Sequence, residues 1–175
     1  MQEGKAESIN IDSGNYSIGI AQARFNQEIT DRLLAGALSA LKQSNVSEEH
    51  IFHKTVPGSA ELPFLLDTFA KEGKCDALIA LGCIIKGETD HHYYIATLAT
   101  QGILKVTLRY HIPVGFGVLT VDTKEQAFVR SGADEHNVGF QAAMAALECA
   151  AKQSIQTQMS KSKCQIKSKA QNPNF

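Results

Sequence analysis

Short segments rich in apolar residues alternate along this chain with stretches where apolar residues recur at three- and four-residue steps. An unbroken apolar run, such as 77–81, is typical of a strand buried on both faces, and the wider spacing is typical of a helix with one buried side. This run predicts one strand, and the short segments at 16–23, 51–56 and 113–119 predict three more. Strands that alternate with helices predict a parallel sheet with helices on both faces. We therefore expect a doubly wound, flavodoxin-like α/β domain with a four-stranded sheet.

The helical spacing also predicts which side chains are buried. The candidates are Ile29, Leu33, Leu34, Ala37 and Leu41 after the first strand, Leu62, Leu65, Leu66 and Phe69 after the second, and Ile95, Leu98, Ile103 and Leu104 after the third. The second helix is predicted to take Ser59 as its N-cap. The third is predicted to run from about His91 to Tyr110, and an Ala-rich last helix from Asn137 to Gln153.

The alternating pattern occupies residues 16–153, which we interpret as a single α/β domain. Residues 1–15 are polar and predict a flexible N-terminal arm. Residues 154–175 are polar and rich in lysine without an apolar period, and they predict a disordered tail.

Composition narrows the functional classes. The 175 residues are 43% hydrophobic with a formal net charge of −1, so neither nucleic acid nor a membrane surface is an expected partner. No run approaches the roughly 18 apolar residues of a membrane-spanning helix. Four scattered cysteines (Cys75, Cys83, Cys149 and Cys164) indicate reduced thiols. With no signal peptide in the polar N-terminus, a cytoplasmic protein is expected.

The first two predicted strands are followed by residues with chemical potential. Phe25 follows the first strand, where an aromatic ring either stacks on a flat heterocycle or packs under the next helix. After the second strand, 56–63 reads Val-Pro-Gly-Ser-Ala-Glu-Leu-Pro. Glu61 there is either an acceptor for a ligand or a partner of the helix dipole.

The third strand leads into the most informative segment, residues 82–95. Gly87-Glu88-Thr89 can present successive backbone N–H groups at a helix start, where phosphate binds readily. His91 beyond it is either a proton shuttle or a surface residue beside His92. Lys86 is either a Schiff-base lysine or, more commonly, a solvated one.

Phe116 in the fourth strand and Arg130 after it complete the candidates, because arginine suits phosphate through its two-pronged donor group. The sequence lacks the glycine patterns of ATPases and nicotinamide enzymes and the G-x-S-x-G of α/β-hydrolases.

The combination of these segments resembles 6,7-dimethyl-8-ribityllumazine synthases, over roughly residues 16–152. It rests on five segments in this order: 24–26, 56–63, 82–94, 116–120 and 125–130. The resemblance implies condensation of 5-amino-6-(D-ribitylamino)uracil with 3,4-dihydroxy-2-butanone 4-phosphate to the lumazine, phosphate and water, without cofactor or metal. It is the penultimate step of riboflavin biosynthesis.

The resemblance also implies roles for individual residues. His91 is expected to transfer protons, and Phe25 to stack on the pyrimidine ring. The ribityl chain is expected on Ser59, Ala60 and Glu61, the ring edge on the backbone of Cys83, Ile84 and Ile85, and phosphate on Glu88, Thr89 and Arg130. Phe116 and Arg130 are expected from the neighbouring subunit of a homopentamer, which in the family occurs alone, as a decamer or in a sixty-subunit shell.

The sequence departs from the family at several positions. Many members have an aromatic residue at Ala60 and arginine at Lys86. Two lysines common in the family are Asp134 and Val138 here. Acid near the phosphate weakens anion binding, and a protein that binds only the ring would not need these two lysines. The alternative is therefore a flavin- or lumazine-binding carrier without catalysis, or a purely structural shell protein.

Overall fold

A computed structural model of the chain describes residues 15–170, with side chains described as far as Gln156. The predicted N-terminal arm therefore lies outside the described residues, apart from Asn15. The helices and strands, in chain order, are β1 Ile18–Ala23, α1 Gln27–Gln43, β2 Ile51–Val56, α2 Leu62–Glu72, β3 Ala77–Ile85, α3 His91–Tyr110, β4 Val114–Val121, α4 Lys124–Arg130 and α5 Val138–Ala170. Short 3₁₀ turns precede β2 and α2, at Glu48–His50 and Ser59–Glu61.

The four strands form one parallel sheet in the order β2-β1-β3-β4. This order is that of a doubly wound α/β fold, so the predicted fold class is confirmed. The chain reverses direction across the sheet between β1 and β3. In such sheets, the crevice at the carboxyl ends of the strands next to this reversal is the usual ligand site.

Two separate cores cover the two faces of the sheet. One packs α1, α4 and α5 against β1, β3 and β4, and the other packs α2 and α3 on the opposite face. In β3, Ile79 and Leu81 enter the first core, whereas Leu78 and Ala80 enter the second. Because successive side chains of a strand point to opposite faces, a strand between two cores is apolar throughout.

Several predicted features are confirmed, and two strands extend further than predicted. Helix α3 has the predicted bounds, and the predicted stripe of α2 is buried (Leu62, Leu65, Leu66 and Phe69). The prediction that β3 ends at Leu81 is wrong, because the strand continues to Ile85. The prediction that the fourth strand ends at Leu119 is also wrong, because β4 extends to Val121 and pairs with β3 through this segment.

The predicted burial of α3 is wrong at two positions. Ile103 is buried, but Leu98 and Leu104 are 56% and 55% exposed. Leu108 is exposed as well. The three leucines lie within about a third of the helix circumference, and no other element in the described part of the chain covers them. No helix in the described part of the chain is long and apolar enough to cross a membrane.

Asn137 attaches the amino end of α5 to α1. Its side chain is almost fully buried, and its Nδ2 donates hydrogen bonds to the carbonyls of Arg32 (3.0 Å) and Gly132 (2.6 Å). Its Oδ1 accepts from the amide of Gly139 at 2.8 Å. A Cβ on Gly139 would lie 2.0 Å from the carbonyl oxygen of Leu33, so the two helices meet at backbone distance here.

The predicted end of the last helix at Gln153 is wrong, because α5 continues as helix to Ala170. Helical backbone thus covers most of the segment for which the composition predicted disorder. Residues 154–170 contain neither glycine nor proline, and lysine and glutamine favour helix, so nothing in the sequence stops the helix at 153.

Candidate active site

A cleft of about 480 Å³ lies at the carboxyl edge of the sheet, where β1, β2 and β3 end. We refer to it as the Phe25 cleft. It is lined by most of the candidates predicted from the sequence: Phe25, Ser59, Ala60, Glu61, Cys83, Ile84, Ile85, Thr89 and His91, together with Pro57, Gly58, Gly87, His92 and Ile95. Residues more than sixty positions apart in the chain therefore meet at one place.

Phe25 forms one wall of the cleft with an open ring. Its side chain is 70% exposed, so the alternative that it packs under the following helix is wrong. Its backbone is fixed nonetheless, because its amide donates to the carbonyl of Pro57 at 2.9 Å. An exposed aromatic ring on a fixed backbone can stack on a flat ligand.

Ser59–Glu61 form the second wall, as a 3₁₀ turn that precedes α2. The prediction that Ser59 caps this helix is wrong, because Ser59 lies inside the turn and is buried. Instead Glu61 closes the turn, and its Oε2 accepts from the amide of Gly58 at 2.9 Å. A Cβ on Gly82 would lie 2.6 Å from the Ser59 Oγ, so glycine at position 82 lets this turn rest on β3.

The end of β3 forms the floor of the cleft with Cys83, Ile84 and Ile85. Cys83 and Ile84 are buried, and Ile85 is half-buried. Burial raises the pKa of the Cys83 thiol to about 11, so the thiol is protonated near neutral pH and is not an activated nucleophile. Cys75, Cys83 and Cys149 are all free thiols.

The loop after β3 and the first turn of α3 close the open side of the cleft. His91 is the first residue of α3 and is exposed. In the adjacent His92, Nδ1 lies 3.0 Å from the Thr89 carbonyl oxygen. Because a carbonyl only accepts, this nitrogen carries the proton and holds the Thr89 loop against α3. Glu88 is an exposed residue of the same loop.

Arg130 and Phe116 do not line the Phe25 cleft. Arg130 is the exposed last residue of α4 and lines a second opening of about 850 Å³, the Arg130 cleft, with Lys86, Asp122, Glu125 and His136. Phe116 lies on β4 and lines an apolar depression between α3 and α5. Lys86 forms an exposed ion pair with Asp122 (3.9 Å), which is the behaviour of a solvated lysine.

Comparison with known proteins shows the family of this chain. A family model described as 6,7-dimethyl-8-ribityllumazine synthase matches residues 15–154. The chain belongs to this family. A 6,7-dimethyl-8-ribityllumazine synthase of Desulfatibacillum aliphaticivorans is 50% identical over 130 residues, which cover 74% of this chain and 84% of that protein. The resemblance predicted from the sequence is thereby confirmed.

Two of the departures from the family pattern, Asp134 and Val138, lie where α5 begins. Asp134 accepts a hydrogen bond from the amide of His136 through Oδ1 (3.0 Å), so its carboxylate is engaged by the loop itself. Val138 is the first residue of α5 and lines the depression beside Phe116. The same loop brings His136 to the Arg130 cleft.

Sequence reasoning missed the contributions of two residues to the cleft. Asn26 was part of the first motif without a role, but its side chain donates a hydrogen bond to the carbonyl of Cys83. His92 was weighed only as a surface neighbour, but it lines both the Phe25 and the Arg130 cleft. Asparagine directly after an aromatic residue at a strand end was the available signal for the first, since asparagine tolerates the left-handed turn found there.

Proposed function

We propose that this chain condenses 5-amino-6-(D-ribitylamino)uracil with 3,4-dihydroxy-2-butanone 4-phosphate in the Phe25 cleft. The amine attacks the ketone and an imine forms with loss of water. Phosphate is then eliminated, and ring closure releases a second water to give 6,7-dimethyl-8-ribityllumazine. One observation carries the proposal: a single cleft in a member of this family gathers every predicted site residue except Glu88, Phe116 and Arg130.

The cleft suits a reaction in which both substrates already carry the reacting groups. Alignment of two such reactants lowers the barrier without a cofactor or metal. Phe25 would stack on the pyrimidine, while the backbone of Cys83, Ile84 and Ile85 contacts the ring edge. Ser59, Ala60 and Glu61 would hold the ribityl chain. One carboxylate oxygen of Glu61 accepts the hydrogen bond from the Gly58 amide, and the other oxygen would accept one from a hydroxyl group of the ribityl chain.

Proton transfer and phosphate binding are assigned to the open side of the cleft. His91 would move protons between the amine and the leaving groups, as an imidazole does near neutral pH. Glu88 and Thr89 would bind phosphate through backbone N–H groups of the loop that enters α3, where the helix dipole favours an anion. Arg130 would supply the paired donor group for the same phosphate.

An assembly would bring Arg130 and Phe116 to a neighbour's Phe25 cleft. The exposed leucines of α3 (Leu98, Leu104 and Leu108) and the apolar depression beside Phe116 support such contacts, because exposed apolar faces mark interfaces. We propose a homopentamer with sites between subunits, alone or as a decamer or sixty-subunit shell. A cytoplasmic location fits the free thiols of Cys75, Cys83 and Cys149.

The test is a fluorescence assay for the lumazine, run beside a mass measurement in solution. The wild-type chain should accelerate the condensation well above the uncatalysed rate. His91→Ala should lower kcat by at least about ten-fold, at the low end for an acid–base group.

If the wild type does not accelerate the condensation, the proposed enzymatic activity is refuted. Riboflavin binding without phosphate release would favour the carrier alternative, and saturable binding that Phe25→Ala abolishes would exclude a purely structural shell protein. An unchanged rate for His91→Ala would remove only the role of that residue. A monomeric mass would refute the shared site.

A further inference from the structure

We propose that Asn26 is a positioning residue, whose side chain fixes the gap between the ring of Phe25 and the backbone of Cys83–Ile85. A planar heterocycle would occupy this gap. The inference rests on the function proposed above and assigns a role to a residue that contacts neither the phosphate nor the proton-transfer group.

The gap exists because β1 ends before β3. The last pair of their ladder joins Gln22 to Leu81, yet β3 continues to Ile85. The amide of Lys86 donates towards β4. Because alternate residues of a parallel strand bond to opposite neighbours, the carbonyl of Cys83 faces the side where β1 has ended. At that point β3 is no longer paired with β1.

Asn26 replaces that partner with a side chain. Its Nδ2 donates to the carbonyl oxygen of Cys83 at 2.9 Å, across a separation of 57 residues in the sequence. The bond is partly buried, where an unpaired carbonyl would be costly. The end of β1 is thus tied to β3 beyond the point where backbone pairing stops.

The backbone of Asn26 makes this reach possible. It adopts the left-handed conformation (φ 58°, ψ 45°), which asparagine tolerates better than most residues. Its carbonyl accepts hydrogen bonds from the amides of Ile29 and Thr30 in the first turn of α1. An asparagine before a helix usually caps it through the side chain, but here the side chain makes no cap and bonds to Cys83 instead.

Phe25 is held from both sides as a result. Its own amide donates to Pro57 on the β2 side, and the next residue, Asn26, bonds to Cys83 on the β3 side. The ring is largely exposed, so packing does not fix its position. These two hydrogen bonds therefore set the distance from the ring to the floor of the cleft.

Two substitutions separate the hydrogen bond from the turn. Asn26→Gly keeps the left-handed backbone and removes the donor, whereas Asn26→Asp keeps shape and turn but sets a carboxylate against a carbonyl. Asn45→Gly is the matched control, because Asn45 has the same backbone conformation (φ 61°) but lies in an exposed turn after α1, outside the Phe25 cleft.

We expect both Asn26 variants to raise the KM for the pyrimidine substrate and the Kd for riboflavin about ten-fold, the effect of one lost hydrogen bond. The KM for the butanone phosphate should change less than about two-fold, because the phosphate loop is untouched. Asn45→Gly should leave all three constants at wild-type values. A thermal unfolding curve for each variant checks that the fold is retained.

The outcomes distinguish this inference from the function on which it rests. An active wild type with unchanged pyrimidine KM and riboflavin Kd in both variants overturns the role of Asn26 alone. Equal increases in the KM of both substrates also overturn it, since they indicate general disruption. A wild type that neither condenses the substrates nor binds riboflavin refutes the proposed function, and the inference fails with it.

Discussion

The Phe25 cleft and the Arg130 cleft lie at the same edge of the sheet, but their residues come together by different routes. The first is built where three adjacent strands end, so the order β2-β1-β3 is sufficient to assemble it. The second lies beyond β4, and Arg130 there is exposed on a short helix. His92 lines both. The fold of one chain therefore brings together most of the proposed site, whereas Arg130, the proposed hydrogen-bond donor to phosphate, would reach it only in an assembly.

The largest expected effect tests this division by complementation. His91→Ala should strongly lower the rate of lumazine formation. Arg130→Ala should do so when the butanone phosphate is limiting. Co-expressed in equal amounts, they should recover about a quarter of wild-type activity, because half of the clefts keep His91 and half of their neighbours keep Arg130. The measurement is the rate of lumazine formation per subunit.

The matched control combines His91→Ala with Phe25→Ala, two residues of the same cleft. No mixture of these chains contains an intact site, so activity should stay near that of the separate variants. Equal recovery in both pairs, or none in either, would contradict a site divided between subunits.

A stability effect of intermediate size is expected in the wall of the Phe25 cleft. In Gly82→Ala, the new methyl group would meet the Ser59 Oγ at 2.6 Å and the Leu62 Cδ1 at 3.2 Å. Overpacking of this kind lowers the free energy of unfolding by about 1–3 kcal/mol. Urea unfolding at equal protein concentration measures it.

Gly87→Ala is the control for this substitution, since no atom lies within 4 Å of the position of its Cβ. Its free energy of unfolding should change by less than about 0.5 kcal/mol. Similar losses in both variants would show that the contact with Ser59 is not the cause.

The last expected effect concerns pH and two thiols, one of which, Cys83, lies in the floor of the cleft. Burial raises the pKa of Cys83 and Cys75 to about 11, from an ordinary value of 9.0. The unfolded chain loses these protons first, so it binds fewer protons than the folded chain between pH 9 and 11. Stability should therefore fall as the pH rises through this window, and level off above it with respect to these groups.

Thermal unfolding between pH 8 and about 11 measures this decline, which Cys83→Ala should make shallower. Cys149→Ala removes an exposed thiol and should leave the decline unchanged. A decline of the same slope in all three proteins would mean that solvent reaches the Cys83 thiol in the folded protein.

The fold was predictable because its signals are local. The central strand β3, which lies between two cores, is an apolar run, and the bounds of α3 follow from the helical pattern after it. Failures occurred where a decisive contact is distant. Leu98 and Leu104 have the periodicity of buried residues, which does not distinguish a core from a contact with another subunit. The end of α5 was misplaced because absence of an apolar period was equated with absence of helix.

The Phe25 cleft was predictable as a set of strand ends, since parallel strands bring their carboxyl ends to one edge. The hydrogen bonds within this cleft were not predictable. Ser59 has the composition of a cap, but Glu61 closes the turn instead. The contact of Asn26 with Cys83 follows from β3 extending past β1, and that mismatch in length depends on pairing with β4.

The length of α5 has a practical consequence for how the protein can be modified. The helix starts beside the Arg130 cleft and, by Ser154, has reached the opposite end of the sheet, where its hydroxyl lies 3.3 Å from that of Tyr16. The remaining turns to Ala170 add about 24 Å at 1.5 Å per residue. A label or fusion joined after this helix is thus carried away from the reacting groups, and should leave turnover intact.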